Sequence, residues 1–279
     1  LAGIMPGDML LQVDGRHVLP SGTGFASSLL IGAVGSTVDV VVETPGEAPR
    51  SLSLERLRVE FTAVQSRIGE IDGAKWHETA DGSIAYVRLL GFSMAAPLLE
   101  QWGEFCRKIE TTPSVRGIVI DLRNNMGGDL AALELLDHLP PRTSSIMEFV
   151  SHEGVGGGFQ VRSRGSAYRI KELPLALLVN ERTASAAEIM VLALAHHRNT
   201  PVYGTETFGK QLVQTWVPVS GQGYEISVTA GGWHVPGQRN ARRGAPVQPD
   251  IRVVDLPQTQ VDEVLIRAAT DLAARITRE

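Results

Sequence analysis

Two almost uninterrupted apolar runs, residues 115–122 and 175–179, constrain this chain more than anything else in it. A strand with so few polar side chains must be covered on both faces, a demand met in the middle of a parallel sheet packed between helices. Each run ends at a turn of small or polar residues and passes into a helical pattern. The first leads through Arg123-Asn124-Asn125-Met126-Gly127-Gly128 into residues 130–139, the second through residues 180–184 into residues 185–196. The latter helix is apolar nearly all round and must be buried. Residues 84–90 read as a further strand. After them, with Ser93 as candidate cap, Ala95, Leu98, Leu99, Trp102, Phe105, Cys106 and Ile109 follow the helical period. Val261, Val264, Leu265, Ala268, Leu272 and Ile276 make one face of a closing helix, and residues 212–219 and 224–230 read as paired strands around Gly221-Gln222-Gly223. Strands alternating with helices predict a layered, mostly parallel α/β core with its site at the carboxyl ends of the strands.

Ahead of this core, residues 1–58 form a small glycine-rich module. Its signals are a strand over 9–13, a turn at Asp14-Gly15 and a β-branched strand over 36–43. Residues 59–81 are polar and without period, the best linker candidate, so the second domain is expected to span 82–279. The net charge of −5 is dispersed, which argues against a nucleic-acid or anionic-lipid surface and leaves proteins or small molecules as partners. The single cysteine, Cys106, rules out an internal disulfide and a cysteine-based zinc site. No apolar run approaches the ~20 residues that cross a bilayer. Leu1 falls where the middle of a domain would be expected, so the native amino terminus, with any export signal, is expected upstream.

Ser185 stands where a buried strand becomes a buried helix, beside free amides at the helix's positive end. A hydroxyl there can attack a carbonyl while those amides receive the oxyanion. The same residue is equally readable as a helix cap, because Ser185-Ala186-Ala187-Glu188 is a capping box. Lys210 lies among Phe208, Leu212, Val213 and Trp216. An apolar pocket of that kind would strip water from an amine ordinarily protonated at neutral pH and free it to act as a base, with Gln214 orienting it. Its alternative is a surface lysine opening a strand. Gly127 and Gly128 could bring a backbone N–H next to Ser185, joining the Ala186 amide in an oxyanion hole, or could be plain turn chemistry. The histidines lack metal-ligand spacing with acidic residues, and His234 is the fallback if a histidine base is needed.

Taken together, these stretches resemble the carboxyl-terminal processing peptidases, or tail-specific proteases, a Ser-Lys family. The matching motifs are Asp121-Leu122-Arg123-Asn124-Asn125-Met126-Gly127-Gly128, the turn at residues 183–188, residues 207–214, and Pro249-Asp250-Ile251, so the resemblance covers residues 82–252. It implies a core related to the crotonase and Clp-peptidase folds, with Ser185 as nucleophile, Lys210 as general base and Gln214 as its partner. Oxyanion amides would come from Gly127, Gly128 and Ala186, and no metal or organic cofactor is implied. Residues 1–58 look like the later part of a PDZ domain, which in that family receives substrate carboxyl termini. The resemblance therefore implies cleavage of protein chains near exposed carboxyl termini in an extracytoplasmic compartment such as the bacterial periplasm, with room for an adaptor or self-association. Two positions depart from the pattern: Met126 replaces the usual proline, and Ala187 a common small hydroxyl residue. A catalytically silent peptide-binding relative and a crotonase-type acyl-transfer enzyme are the rival readings.

Overall fold

The structure is a computed structural model that describes residues 3–5, 7–18, 22–57, 63–68, 83–92, 97–129, 131–140, 144–151, 158–165, 167–218, 225–237, 245–254 and 262–278. The chain divides into two compact units, Leu1–Glu60 and Phe61–Glu279.

In the first unit β1 (Met9–Val13), β2 (Arg16–His17), β3 (Thr37–Glu43) and β4 (Arg50–Glu55) form an antiparallel sheet in the order β2-β1-β3-β4, with α1 (Gly22–Leu30) between β2 and β3 in sequence. The Asp14-Gly15 turn closes the β1–β2 hairpin with both residues at positive φ. The alternation of β3 places Val38, Val40 and Val42 in a small core with Val13 and Val18.

The second unit is built on a six-stranded sheet, β14-β11-β10-β7-β6-β5, in which only β5 runs antiparallel to its neighbour. Its strands are β5 (Val64–Ile68), β6 (Ile84–Leu89), β7 (Gly117–Asp121), β10 (Leu175–Val179), β11 (Val202–Gly204) and β14 (Ile251–Arg252). Both faces are buried, as the apolar runs require. Ala85, Val87, Leu89, Ile118, Ile120, Leu175, Leu177 and Val179 point to the side of α2 (Leu98–Thr111), α3 (Ala131–Leu136) and α4 (Ala186–Arg198). Ile84, Val119, Ala176 and Leu178 point to α5 (Glu263–Arg278), which packs Val264, Leu265, Ala268, Leu272 and Ile276 against them. α4 is buried all round over its first nine residues, while α2 and α5 bury a single stripe.

Three features differ from the sequence expectations. Val64–Ile68, inside the stretch assigned to a linker, is a strand of the second unit's main sheet; its unpatterned sequence carries no alternation because β5 is an edge strand that, among the described residues, pairs only with β6. α2 starts at Leu98 behind Pro97, while Ser93 and Ala95 lie outside the described residues. The hairpin of β12 (Leu212–Pro218) and β13 (Glu225–His234) belongs to a second antiparallel sheet, β12-β13-β8-β9. Its other strands, β8 (Ser145–Ser151) and β9 (Phe159–Arg162), show mostly half-buried or exposed positions and hence no clear sequence period. No described helix is long and apolar enough to cross a membrane.

Gly117 opens β7 directly beneath α5: a Cβ there would lie 2.7 Å from Ile276 Cδ1 and 3.2 Å from Leu272. Gly117→Val therefore overpacks that contact, and a urea titration should show a loss of roughly 1–3 kcal/mol in the stability of this unit.

Candidate active site

Strands β7 and β10 are parallel neighbours, so the turns that follow them emerge side by side. Three sets of polar side chains lace those turns together. Asp121, fully buried, accepts hydrogen bonds from Tyr86 Oη at 2.8 Å, from the Arg123 amide at 2.9 Å and from Arg123 Nη2 at 2.6 Å. Arg123 also grips Asp262 through two bonds of 2.8 and 2.6 Å, and Asp262 receives the Leu265 amide at the start of α5. Burial works against the guanidinium charge, but the bonds to the two carboxylates outweigh it and raise the Arg123 pKa above its ordinary value. Asn124 and Asn180 pair across the two turns, Asn180 Oδ1 accepting the Asn124 amide at 2.9 Å. Asn125, fully buried, donates to the Leu89 carbonyl and accepts the Gly127 amide, both at 2.9 Å, and its own carbonyl receives the Ala184 amide at 2.9 Å.

This lacing presses the glycine turn against Ser185. Gly127 has φ +89°, and a Cβ on it would fall 2.8 Å from Ser185 Cβ and 2.9 Å from the Ala186 nitrogen, an approach open only to glycine. Ser185 itself, half-buried, sits at φ 56° and ψ −120°, a conformation costing roughly 1–3 kcal/mol in a residue with a side chain. Such a sharp strand-to-helix turn thrusts the side chain out at the top of the sheet, as a nucleophile elbow does. Among the described residues nothing accepts a hydrogen bond from the Ala186 or Gly128 amide. The Gly127 amide, by contrast, is occupied by Asn125 Oδ1. The expectation that Gly127 offers a free amide is corrected accordingly: Gly127 supplies the close approach, while the Ala186 and Gly128 amides are left without an acceptor among the described residues.

The Lys210 backbone is brought to the Ser185 turn through Glu188. This carboxylate, with no exposed surface, accepts four hydrogen bonds: at Oε2 the amides of Ser185 and Lys210, each at 2.8 Å, and at Oε1 the Gly209 amide at 2.7 Å and the Thr207 hydroxyl at 2.5 Å. Two residues 25 positions apart in sequence thus donate to one oxygen, which holds their amide nitrogens within about 6 Å of each other. The Lys210 amine donates to Gln214 Oε1 at 3.2 Å. Among the described residues, Phe208 and Leu212 do not enclose Lys210 as expected, while Val213 packs against the main core. Phe208 and Leu212 are 63% and 54% exposed, because the loop turns its amides inward to Glu188 and its side chains outward; Lys210 is half-buried, and Trp216's side chain lies outside the described residues.

The remaining candidates are engaged elsewhere. His234 faces Glu148 across the β13–β8 pair at 3.2 Å. His138 Nδ1 accepts from Trp102 Nε1 at 2.9 Å, and burial lowers its pKa. Burial pushes the Cys106 thiol up to about 12, leaving it unreactive. Among the described residues no three His, Cys, Asp or Glu side chains are grouped to hold a metal ion. Sequence reasoning missed Thr207, Asn125 and the wider role of Glu188. The available signal was an acidic residue three positions into a helix apolar on every side, since a carboxylate buried there needs several donors.

Residues 83–253 match the model of peptidase family S41. The chain is 28% identical to the carboxyl-terminal-processing protease of Synechocystis sp. over 278 residues, covering 97% of this chain and 61% of that protein. It is 31% identical to carboxyl-terminal-processing peptidase 2, chloroplastic, of Arabidopsis thaliana, over 84% of this chain and 44% of that one. Among solved structures, a photosystem II D1 C-terminal processing protease superposes with a TM-score of 0.62 at 28% identity, over 99% of this chain and 70% of that chain. The chain thus spans about two fifths to three fifths of the length of these curated relatives.

Asn125→Ala would leave the Leu89 carbonyl and the Gly127 amide without partners in the core. Chemical denaturation should register a loss of about 1–3 kcal/mol for each group.

Proposed function

The chain belongs to peptidase family S41, and on that premise we propose that it is a serine endopeptidase with a Ser185–Lys210 dyad. One observation carries this reading: the amides of Ser185 and Lys210 converge on a single buried oxygen of Glu188, so the nucleophile and its base belong to one rigid cluster.

In the proposed reaction the neutral Lys210 amine, held by Gln214, takes the proton of the Ser185 hydroxyl as Oγ adds to the scissile carbonyl carbon. The tetrahedral oxyanion is received by the Ala186 and Gly128 amides, the first of which also carries the positive end of α4. The protonated amine then gives its proton to the leaving nitrogen, the C–N bond breaks, and an acyl-enzyme remains on Oγ. Water, deprotonated by Lys210, adds to the ester carbonyl, and collapse of the second tetrahedral intermediate returns the proton to Ser185 and frees the carboxylate product. Every step uses side chains and amides of this chain and requires no cofactor.

The substrates in this reading are polypeptides cut near accessible carboxyl termini, in line with the processing proteases to which the chain is similar. Residues 1–58 act as a partial PDZ-like unit that presents them, and the setting is extracytoplasmic. In a casein-digestion assay Ser185→Ala and Lys210→Ala should each lower kcat/KM about a thousand-fold or more. Equal activity in the wild type and both variants would end the peptidase reading, while activity lost in Ser185→Ala but kept in Lys210→Ala would point to a different base.

A further inference from the structure

We propose that Glu188 is a positioning residue for catalysis, which with Thr207 sets the alignment of Ser185 and Lys210 by gripping their backbones. The proposal rests on the peptidase reading above and extends it to a residue that touches no reacting atom.

A helix cap would explain only one of the four bonds to Glu188, that from the Ser185 amide. The other three come from residues 207–210, in a loop that precedes β12 and shares no element with α4. The bonds also fix the chemical form of the group. Thr207 Oγ1 accepts the Val247 amide at 2.8 Å, so its one proton is directed to Glu188 Oε1. With amides on the other sites, both oxygens serve as acceptors, which is the carboxylate form. The pairing is divided evenly: Oε2 holds the two residues of the dyad, and Oε1 holds Thr207 and Gly209, which fix the approach of the loop.

This division makes the site sensitive to a change that preserves shape. A carboxamide has one acceptor oxygen, so in either orientation of Glu188→Gln its NH2 group confronts two donors. One orientation releases the amides of Ser185 and Lys210, the other releases the loop. The strained turn at Ser185 adds to this dependence, because φ 56° is held by the bond from its own amide to Glu188 and by the Ala184 amide on Asn125. Losing the first lets the turn relax and shifts Oγ relative to the oxyanion amides and to Lys210. A displacement near 1 Å at reacting groups costs about 100-fold in rate. Glu188 itself is fully buried and offers substrate no surface to touch.

The test compares the full chain with Glu188→Gln, Thr207→Val, Thr207→Ser and Ser185→Ala in steady-state cleavage of a fluorogenic peptide, separating kcat from KM. Glu188→Gln and Thr207→Val should lower kcat by about 30- to 100-fold with KM within about threefold of wild type. Thr207→Ser, which restores the hydroxyl, should turn over at least about ten-fold faster than Thr207→Val. The Thr207 pair decides the matter if Glu188→Gln does not fold. A wild-type kcat in Thr207→Val, a rise in KM at constant kcat, or equal rates for the two Thr207 variants overturns the proposal. If Ser185→Ala is inactive while Glu188→Gln and Thr207→Val keep wild-type kcat, the positioning role falls and the peptidase reading stands. Undiminished cleavage by Ser185→Ala removes both.

Discussion

A carboxylate with no exposed surface is costly to bury, and the arrangement around Glu188 shows how the cost is offset. Its charge meets three backbone amides and a hydroxyl, neutral donors that replace the water it has lost, with bond lengths of 2.5–2.8 Å. Those donors come from the turn before α4 and from the loop before β12. Satisfying the carboxylate is therefore the same act as joining the two segments. Neither segment can drift without exposing an unpaired charge to an apolar interior, the most unfavourable alternative open to it.

The sheet makes this junction geometrically available. β10 lies between β7 and β11, all three run in the same direction, and their carboxyl ends deliver the glycine turn, the Ser185 turn and the loop containing Lys210 to one edge. Side-chain amides then fix what the topology only brings near. Asn125 ties the glycine turn both to β6, through the Leu89 carbonyl, and to the residue before Ser185, through the Ala184 amide. Arg123, between Asp121 and Asp262, ties the end of β7 to the start of α5. The edge that carries Ser185 is thus anchored to both faces of the sheet. That is why turns rich in glycine and asparagine can hold Ser185 in a strained conformation.

Much of this was legible in sequence because it depends on local pattern. The two apolar runs announced β7 and β10, the helix apolar all round announced α4, and the motifs at residues 121–128, 183–188 and 207–214 singled out Ser185, Lys210 and Gln214 as candidates. What escaped depends on contacts between distant segments. Glu188 reads as a cap because three residues separate it from Ser185, whereas its bonds to Thr207, Gly209 and Lys210 span 19 to 22 positions and leave no periodic trace. The engagement of the Gly127 amide is local but equally illegible, because only the backbone turn shows that it donates to the Asn125 side chain two residues before it. β5, β8 and β9 were missed since edge or half-exposed strands need no strict alternation.

The surroundings of Lys210 follow from the same economy. A loop whose amides turn inward to a buried carboxylate must turn side chains outward, and so Phe208 and Leu212 face solvent on either side of Lys210. Met126, 71% exposed, adds apolar surface on the glycine turn beside Ser185. In the proposed reaction a substrate polypeptide lying over these side chains would exclude water from the amine. Binding then desolvates the base as it delivers the carbonyl, which couples the reactivity of the dyad to the presence of a chain to cut.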